Sequence, residues 1–279
     1  MHSLNYLVLT VQGRTMPLTE LMNYFNDQLQ TQARTRSLPK TGFFKADNSY
    51  WGRFGNLILG SRFQAIHTFA DDTVIGHNSD LLVRSATGNS LNIDSIFNSL
   101  DSTDQIIHLD RLVRTLHSLN YLQQFDGRKD LLSLQVQPRH IISVVSDHGK
   151  TFEKILSDCG LGPARVLLHT RLLDTTTLPH FQQALGSYRQ HGYKIGIRLS
   201  EPRDLDLLQQ LGLIPEVIFA DHPALTQLLV KDPLPAAFAS TRQILIAKNP
   251  GIDVKTSSAL DGYLFNNDDT VAVPRTAIS

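Results

Sequence analysis

The spacing of hydrophobic positions divides the chain into two parts, and the first part is residues 1–56. Leu4–Val11 is a β-rich apolar run that predicts a strand, and Pro17–Gln32 carries apolar residues every three or four positions, which predicts an amphipathic helix. Arg34–Asn56 is rich in Gly, Ser, Pro, Asn and basic residues, which predicts an irregular arm. We expect this α/β extension to cap the main domain, since aromatics in such arms usually become buried. The aromatics of the arm are Phe43, Phe44, Tyr50, Trp51 and Phe54.

From Leu57 onward, strand and helix patterns alternate along residues 57–279. Two β-rich runs, Leu57–Phe69 and Thr73–Arg84, predict paired strands around Asp71 and Asp72. The later predicted strands are Leu131–Val136, Arg165–His169, Lys194–Leu199, Glu216–Ala220, Ile244–Ala247 and Tyr263–Phe265. The predicted helices are Ile93–Leu100, Gln105–Gln124, Thr151–Cys159, Leu178–His191, Asp204–Leu211 and His222–Val230. Repeated β-α units predict a parallel sheet, and their number favours a TIM-like (β/α)8 barrel over a three-layer sheet.

Charge and cysteine content narrow the range of partners. The chain has 279 residues with 26 Lys+Arg and 26 Asp+Glu, so no net charge draws it towards nucleic acid or an anionic membrane. Cys159 is the one cysteine, which excludes an internal disulfide. No apolar run approaches the roughly 18–20 residues of a membrane span, and residues 1–12 do not have the pattern of a signal peptide. We expect a cytoplasmic protein without nucleic-acid or membrane partners.

The predicted strand ends carry a set of polar residues, and barrels of this type place their chemistry at those ends. The residues are Asp80, Gln135, His169, Arg198 and Asp221. A centre that holds two divalent metal ions needs several converging oxygen ligands. Only two of the five residues are carboxylates, and the guanidinium of Arg198 would repel a cation. We therefore expect no metal and no other cofactor.

A series of short sequence motifs resembles those of one known family. They occur in the family's order at Phe63–Ile66 (FQAI), Val74–Arg84 (VIGHNSDLLVR), Leu109–Leu122 (LDRLVRTLHSLNYL), Leu134–Ile141 (LQVQPRHI), His148–Leu168, His191–Leu199 (HGYKIGIRL), Pro215–Asp221 (PEVIFAD), Ile244–Lys248 (ILIAK) and Asp261–Phe265 (DGYLF). From Ser61 to Phe265 the chain is similar to the EAL domains, phosphodiesterases that hydrolyse the bacterial messenger cyclic di-GMP. The resemblance implies a (β/α)8 barrel of EAL type.

The resemblance also implies that the family's catalytic positions are degenerate here. The first metal-binding Glu of the family falls on Asp80 or Asn78, and we prefer Asp80 because it keeps the following Leu-Leu-Val-Arg in register. At the other substituted positions this chain has a different residue from the family. Gln135 replaces the family's Asn, His169 its Glu, Arg198-Leu199 its paired Asp residues, Phe219 its Lys and Lys248 a further Glu. Asp221, Arg84 and Gln64 match the family pattern, and the loop after the paired aspartates shortens to Ser200-Glu201-Pro202.

Each retained residue also has a structural interpretation. Arg84 would contact a phosphate or pair with Asp80 or Asp221. Asp221 is more typical of a helix N-cap for His222–Val230 than of a metal ligand. His169, as a lone histidine at a strand end, is more typical of a hydrogen-bonded and inert residue than of a ligand.

We hypothesise that the chain is a catalytically inactive EAL-like domain, and not an enzyme, that works as a regulatory protein-binding module in bacterial cyclic di-GMP, biofilm and motility signalling. The pocket would be refilled by pairs of Arg198 or Lys248 with Asp80 or Asp221. The expected partner is an unidentified protein, contacted through the N-terminal extension. The alternative is a cyclic di-GMP sensor that does not hydrolyse its ligand, with nucleotide contacts from Gln64, Arg84 and Arg198. An active phosphodiesterase is disfavoured, because its cations would lie beside Arg198.

Overall fold

The protein is described by a computed structural model that covers residues 9–11, 14–36, 38–125, 127–144, 154, 156–157, 159–221, 225, 229, 234–247 and 260–265. The strands are β1 (Leu9–Val11), β2 (Arg14–Met16), β3 (Thr41–Ala46), β4 (Ser49–Phe54), β5 (Leu57–Thr68), β6 (Val74–Arg84), β7 (Leu131–Gln135), β8 (Val166–Thr170), β9 (Lys194–Leu199), β10 (Val217–Ala220), β11 (Arg242–Ala247) and β12 (Gly262–Phe265). The helices are α1 (Leu18–Arg36), α2 (Ile93–Ser99), α3 (Thr103–Gln124), α4 (Pro138–Ser143), α5 (Leu178–Gln190) and α6 (Arg203–Gln210).

Strands β5 to β12 form a closed barrel of eight strands. Neighbouring strands pair in chain order, and β12 returns to β5 through Gly262–Thr68 and Tyr263–His67. β5 is antiparallel to both of its neighbours, whereas β6 to β12 run parallel. The architecture confirms the predicted TIM-like (β/α)8 barrel, with an N-terminal segment added to its sheet.

The prediction of an irregular arm over Arg34–Asn56 was wrong, because the segment contains the hairpin β3–β4. Its two-residue turn is Asp47-Asn48, and both residues have positive φ, 49° and 59°. Turns of that shape match the twist of antiparallel strands, and Asn and Asp tolerate the conformation better than most residues. The sequence lacks the Gly that usually follows Asn or Asp in such turns, so the hairpin signal was weak. β4 then pairs with β5, which extends the barrel sheet.

The aromatic side chains of this hairpin are mostly inside the protein. Phe43, Tyr50, Trp51 and Phe54 are buried, while Phe44 is partly exposed. Three of them share one apolar core with residues of α1 and α3 and with the outward faces of the barrel strands. The buried rings are therefore not available as a contact surface for another protein.

A second and smaller apolar cluster fills the inside of the barrel. It consists of Ile66, Leu167, Val217, Phe219, Ile244 and Leu264. The two clusters follow from strand geometry, because successive side chains point to opposite faces of a sheet. The same alternation decides which strand-end residues reach the interior of the barrel and which pack under the helices.

Most of the predicted helices are present, and α4, which begins at the Pro of the PRH motif, is an additional one. The predicted helices Thr151–Cys159 and His222–Val230 lie largely outside the described residues, as does Lys248. Of the predicted strand Leu4–Val11, the described part, Leu9–Val11, is β1 and pairs with β2. None of the described helices is both long enough and apolar enough to cross a membrane.

Candidate functional site

The register of the barrel strands brings several of the predicted strand-end residues to one end of the barrel. β6 and β7 pair at Asn78–Ser133, so Asp80 and Gln135 follow two residues later at the same level. Gln135 is in turn paired with His169 on β8. Because parallel strands end at the same edge, side chains from distant parts of the sequence meet there.

A polar pocket of about 330 Å³ opens at this end of the barrel. Its walls are formed by Arg62, Asp80, Leu81, Asn92, Ile93, Asp94, Gln135, Arg171, Arg198 and Asp221. Three of these residues are arginines and three are aspartates, and each arginine bonds to one aspartate. The formal charges of these six side chains therefore cancel within the pocket.

The pair between Arg198 and Asp221 joins the ends of β9 and β10. Arg198 Nε donates to both carboxylate oxygens of Asp221, at 2.8 Å from Oδ1 and 2.6 Å from Oδ2. Ser200 Oγ donates to Oδ2 of the same carboxylate at 3.0 Å. Both charged side chains are about four-fifths buried. One of the pairings expected from the sequence is thus present, and the carboxylate of Asp221 is committed to Arg198 and Ser200.

The second pair lies on the antiparallel strands β5 and β6. Arg62 Nη2 donates to Asp80 Oδ2 at 3.0 Å, and Asn78 Nδ2 donates to Asp80 Oδ1 at 3.2 Å. The amide of Asn78 also donates to Gln64 Oε1 at 3.3 Å. Both Asp80 and Asn78, the two alternatives for the family's first metal ligand, therefore belong to one hydrogen-bonded group. Arg62 was missed by the sequence analysis, although its position opposite Asp80 follows from the hairpin register.

The third pair closes one side of the pocket mouth. Arg171 Nη2 donates to Asp94 Oδ1 at 3.1 Å, and both side chains are more exposed than those of the other two pairs. Asp94 belongs to the first turn of α2, and Arg171 directly follows β8. Neither residue was identified from the sequence, because their contact spans 77 residues of chain and no motif marks it.

His169 is almost fully buried and is not among the residues that line the pocket. Burial, together with the positive charge of Arg198, lowers the pKa of its imidazole to about 3. Neither ring nitrogen has a hydrogen-bond partner among the described residues, so the expected hydrogen bond is absent there. The ring centroid lies 5.1 Å from that of Phe219, which fills the barrel interior. A neutral imidazole thus packs beside a phenyl ring in the interior of the barrel.

The remaining predicted residues do not reach the pocket. Leu199 packs in the outer core, on the opposite face of β9 from Arg198. Arg84 Nη1 donates to the backbone oxygen of Gly88 at 3.1 Å and is not part of the pocket wall. Gln64 is buried beside Asn78, whose side-chain amide donates to its Oε1. The three nucleotide-binding candidates Gln64, Arg84 and Arg198 are therefore not assembled on one surface of the pocket.

The donor set of the pocket is a poor fit for the two divalent cations that the resemblance to EAL domains implies. The three aspartates are already bound to guanidinium groups at 2.6–3.1 Å. Among the described residues, no three His, Cys, Asp or Glu side chains lie together as metal ligands would. Cations would have to displace the arginines and remain beside their positive charge, which electrostatics opposes.

Solved structures of EAL domains share this fold at low sequence identity. The Bacillus subtilis YkuI protein, with an EAL domain and in complex with substrate c-di-GMP and calcium, matches with a TM-score of 0.53 and 17% identity over 67% of this chain. This chain spans only about half, 49%, of the Bacillus protein. The EAL domain of Xanthomonas citri FimX, in complex with c-diGMP, matches with a TM-score of 0.56 and 14% identity over 88% of this chain and 92% of that one.

Klebsiella pneumoniae BlrP1, in a manganese/cy-diGMP complex, matches with a TM-score of 0.58 and 15% identity over 92% of this chain and 70% of that one. No family model matches the chain, and no curated protein matches it. The structural neighbours are thus EAL domains, and what they share with this chain is the EAL-type barrel.

Proposed function

We propose that this chain is a catalytically inactive, cytoplasmic EAL-fold protein that acts as a regulatory protein-binding module in bacterial cyclic di-GMP signalling, in the control of biofilm formation or motility. The observation that supports the proposed loss of catalysis is the Arg198–Asp221 pair, in which a guanidinium, at a position where the EAL resemblance implies a carboxylate, bonds to its neighbour. The link to cyclic di-GMP is supported by the fold, since the neighbours were solved with that nucleotide.

Electrostatics explains why such a pocket would not support hydrolysis. Hydrolysis by a two-metal mechanism requires cations that activate water and stabilise the leaving oxygen. A dication 4 Å from a guanidinium would be repelled by about 8 kcal/mol at an effective dielectric constant of about 20. Asp80 and Asp221 would also have to leave their arginines, and each arginine would then remain unpaired in a partly buried site.

We propose a different surface of the protein for the contact with a protein partner. The N-terminal extension was expected to carry that contact, but four of the five aromatic side chains of its hairpin are buried, as are Leu21 and Phe25 of α1. Deleting residues 1–50 would remove part of the core, so a deletion of the extension would not separate partner binding from folding. The mouth of the pocket, with its paired charges, replaces the extension as the surface to test.

A hydrolysis assay tests the loss of catalysis directly. Purified full-length protein would be incubated with cyclic di-GMP and Mg²⁺ or Mn²⁺, with an active EAL phosphodiesterase in parallel, and products would be separated by chromatography. We expect no product above the enzyme-free control. Metal-dependent turnover that disappears in an Asp80→Asn variant would contradict the proposal.

A cyclic di-GMP sensor without hydrolysis is the second candidate, and the three arginines of the pocket favour it. Guanidinium groups bind phosphate oxygens bidentately and could replace the cations of an active enzyme. Titration calorimetry with cyclic di-GMP, with and without Mg²⁺, separates the two proposals. Micromolar or tighter binding that is independent of metal would favour the sensor. An absence of heat with an unchanged melting temperature would favour the protein-binding module.

A further inference from the structure

Asp221 holds Arg198 from one side and leaves the other side of its guanidinium open. The contact uses Nε alone, which lies within hydrogen-bond distance of both carboxylate oxygens. The carboxylate is itself held in place by Ser200 Oγ, and the backbone nitrogen of Asp221 donates to the oxygen of Leu199 at 2.9 Å. Nη1 and Nη2 of Arg198 bond to no residue in the described part of the chain, although the side chain lines the pocket.

A guanidinium fixed in this way presents a receptor for an oxyanion. The group is planar, and its terminal Nη1 and Nη2 carry parallel N–H bonds that match the spacing of two oxygens on a phosphate or carboxylate. Because Nε is already bound, the side chain loses less conformational freedom when a ligand arrives. Asp221 acts here as a positioning residue for Arg198.

Two further donors line the same cavity. Arg171 uses Nη2 for Asp94 at the pocket mouth, and its side chain makes no other hydrogen bond within the described residues. The side-chain amide of Gln135 has no hydrogen-bond partner among them. A cavity of about 330 Å³ thus contains two guanidinium groups and one amide with unused N–H donors.

We infer that this pocket is an oxyanion-binding site, in which Asp221 orients Arg198 for bidentate contact with a phosphate or carboxylate group. The inference rests on the metal-free pocket of the proposed function, since two divalent cations would take Asp221 away from Arg198. It adds the chemistry of the ligand, which is a group with two coplanar oxygens carried by a small molecule or by a side chain of the partner.

Inorganic phosphate and sodium glutamate are the probes for this site. Each would be titrated into the full-length protein against sodium chloride of equal ionic strength, with NMR detection of the arginine Nε–Hε resonances. We expect a saturable shift of the Arg198 resonance with at least one probe. Saturation by phosphate alone assigns a phosphoryl group, and saturation by glutamate alone assigns a carboxylate. An absence of saturation with both probes would overturn the inference.

Two substitutions distinguish an oriented receptor from simple charge attraction. Arg198→Lys keeps the positive charge but loses the two parallel N–H groups, so we expect binding to weaken at least tenfold. The matched control Arg203→Lys, on the exposed surface of α6, should leave binding unchanged. Asp221→Asn removes one negative charge from the pocket. Charge attraction alone predicts tighter binding for Asp221→Asn, and loss of orientation predicts weaker binding.

Wild-type affinity in a folded Arg198→Lys protein, or tighter binding by Asp221→Asn, would overturn the inference. Melting curves and the full NMR spectrum show whether each variant is folded. The hydrolysis assay is independent of these titrations. Turnover would refute the proposed function, whereas failure to bind either probe without turnover would refute the oxyanion site alone.

Discussion

Arg198 Nε lies between the two carboxylate oxygens of Asp221, at 2.6 Å and 2.8 Å. The two residues are 23 positions apart and come from the ends of adjacent parallel strands, β9 and β10. One positively charged side chain therefore does locally what a bound cation would do, which is to neutralise a carboxylate at the barrel mouth. This replacement can be tested by putting a carboxylate back.

The substitution Arg198→Asp should destabilise the protein and make its stability depend on metal. Two carboxylates would then face each other without a counter-charge, so we expect a lower melting temperature in EDTA. Mn²⁺ should recover part of the loss, because carboxylate oxygens are suitable ligands. Thermal unfolding followed by circular dichroism measures both effects. Arg203→Asp, which breaks an exposed pair with Glu201, is the control and should change little. A variant with wild-type stability in EDTA would show that the pair contributes nothing.

The buried pair of Asp110 and Arg114 should be among the most sensitive places in the fold. Both side chains are 1% exposed and bond to each other along α3. Asp110 Oδ1 also accepts a hydrogen bond from the backbone nitrogen of Gln137 at 2.9 Å, and His140 Nδ1 lies 3.4 Å from its other oxygen. α3 is thereby connected to the segment that follows the pocket-lining end of β7.

Arg114→Met should lower the free energy of unfolding by about 3–5 kcal/mol, since it leaves a buried carboxylate unpaired. Asp110→Leu combined with Arg114→Met should recover much of that loss, because no unpaired charge remains. Urea denaturation measures both variants, and Arg203→Met, at an exposed site, serves as the control. Equal losses in the single and double variants would mean that packing, and not the unpaired charge, determines the cost.

His169 should make the protein less stable in acid. Its pKa is about 3 in the folded protein and about 6.5 in an unfolded chain, so below pH 6.5 the unfolded state binds a proton that the folded state does not. Stability is therefore lost as the pH falls from 6.5 towards 3, by about 2 kcal/mol at pH 5. The pKa of His117 is also about 3, and it adds a similar loss.

Replacing His169 with Gln should remove its contribution to the loss of stability in acid and leave that of His117. Urea denaturation at pH 7.5 and pH 5.0 measures the difference in unfolding free energy, which we expect to be smaller in His169→Gln than in the wild type. His180→Gln, at an exposed position of α5, should retain the wild-type difference. An unchanged pH dependence in His169→Gln would show that His169 accepts a proton in the folded state.

Asn26 should keep β3, the edge strand of the sheet, from pairing with a strand of another molecule. Its side-chain amide donates to the oxygen of Phe43 at 2.9 Å, and its Oδ1 accepts from the nitrogen of Phe43 at 2.6 Å. The amide thus takes the place of a neighbouring strand along β3. Asn26→Ala should cost about 1–3 kcal/mol and promote self-association, because it leaves backbone groups of an edge strand unpaired.

Sedimentation velocity over a range of concentrations measures the association of Asn26→Ala. Asn23→Ala, at an exposed position of the same helix, is the matched control and should remain as the wild type. A monomeric and fully stable Asn26→Ala would mean that water replaces the amide at no cost.

The order of strands and helices from Leu57 onward was predictable, because hydrophobic periodicity is a local property of the chain. The hairpin of β3 and β4 was not predicted, since its turn uses Asp47-Asn48 and its flanking residues include Gly, Lys and Arg. The strand-end positions of Asp80, Gln135 and Asp221 could also be read from the sequence. Their contacts could not, because they depend on strand register and stagger around a closed barrel.

The sequence by itself determined that carboxylates are scarce at the strand ends and that an arginine stands among them, since residue identity and strand periodicity are sufficient for both. Tertiary structure decided that Arg198 bonds to Asp221, that Arg62 bonds to Asp80, and that Leu199 turns away into the outer core. It also placed Arg171 and Asp94 together across the pocket mouth. The physical reason is that these contacts join segments far apart in the chain, and only closure of the barrel sets the distance between them.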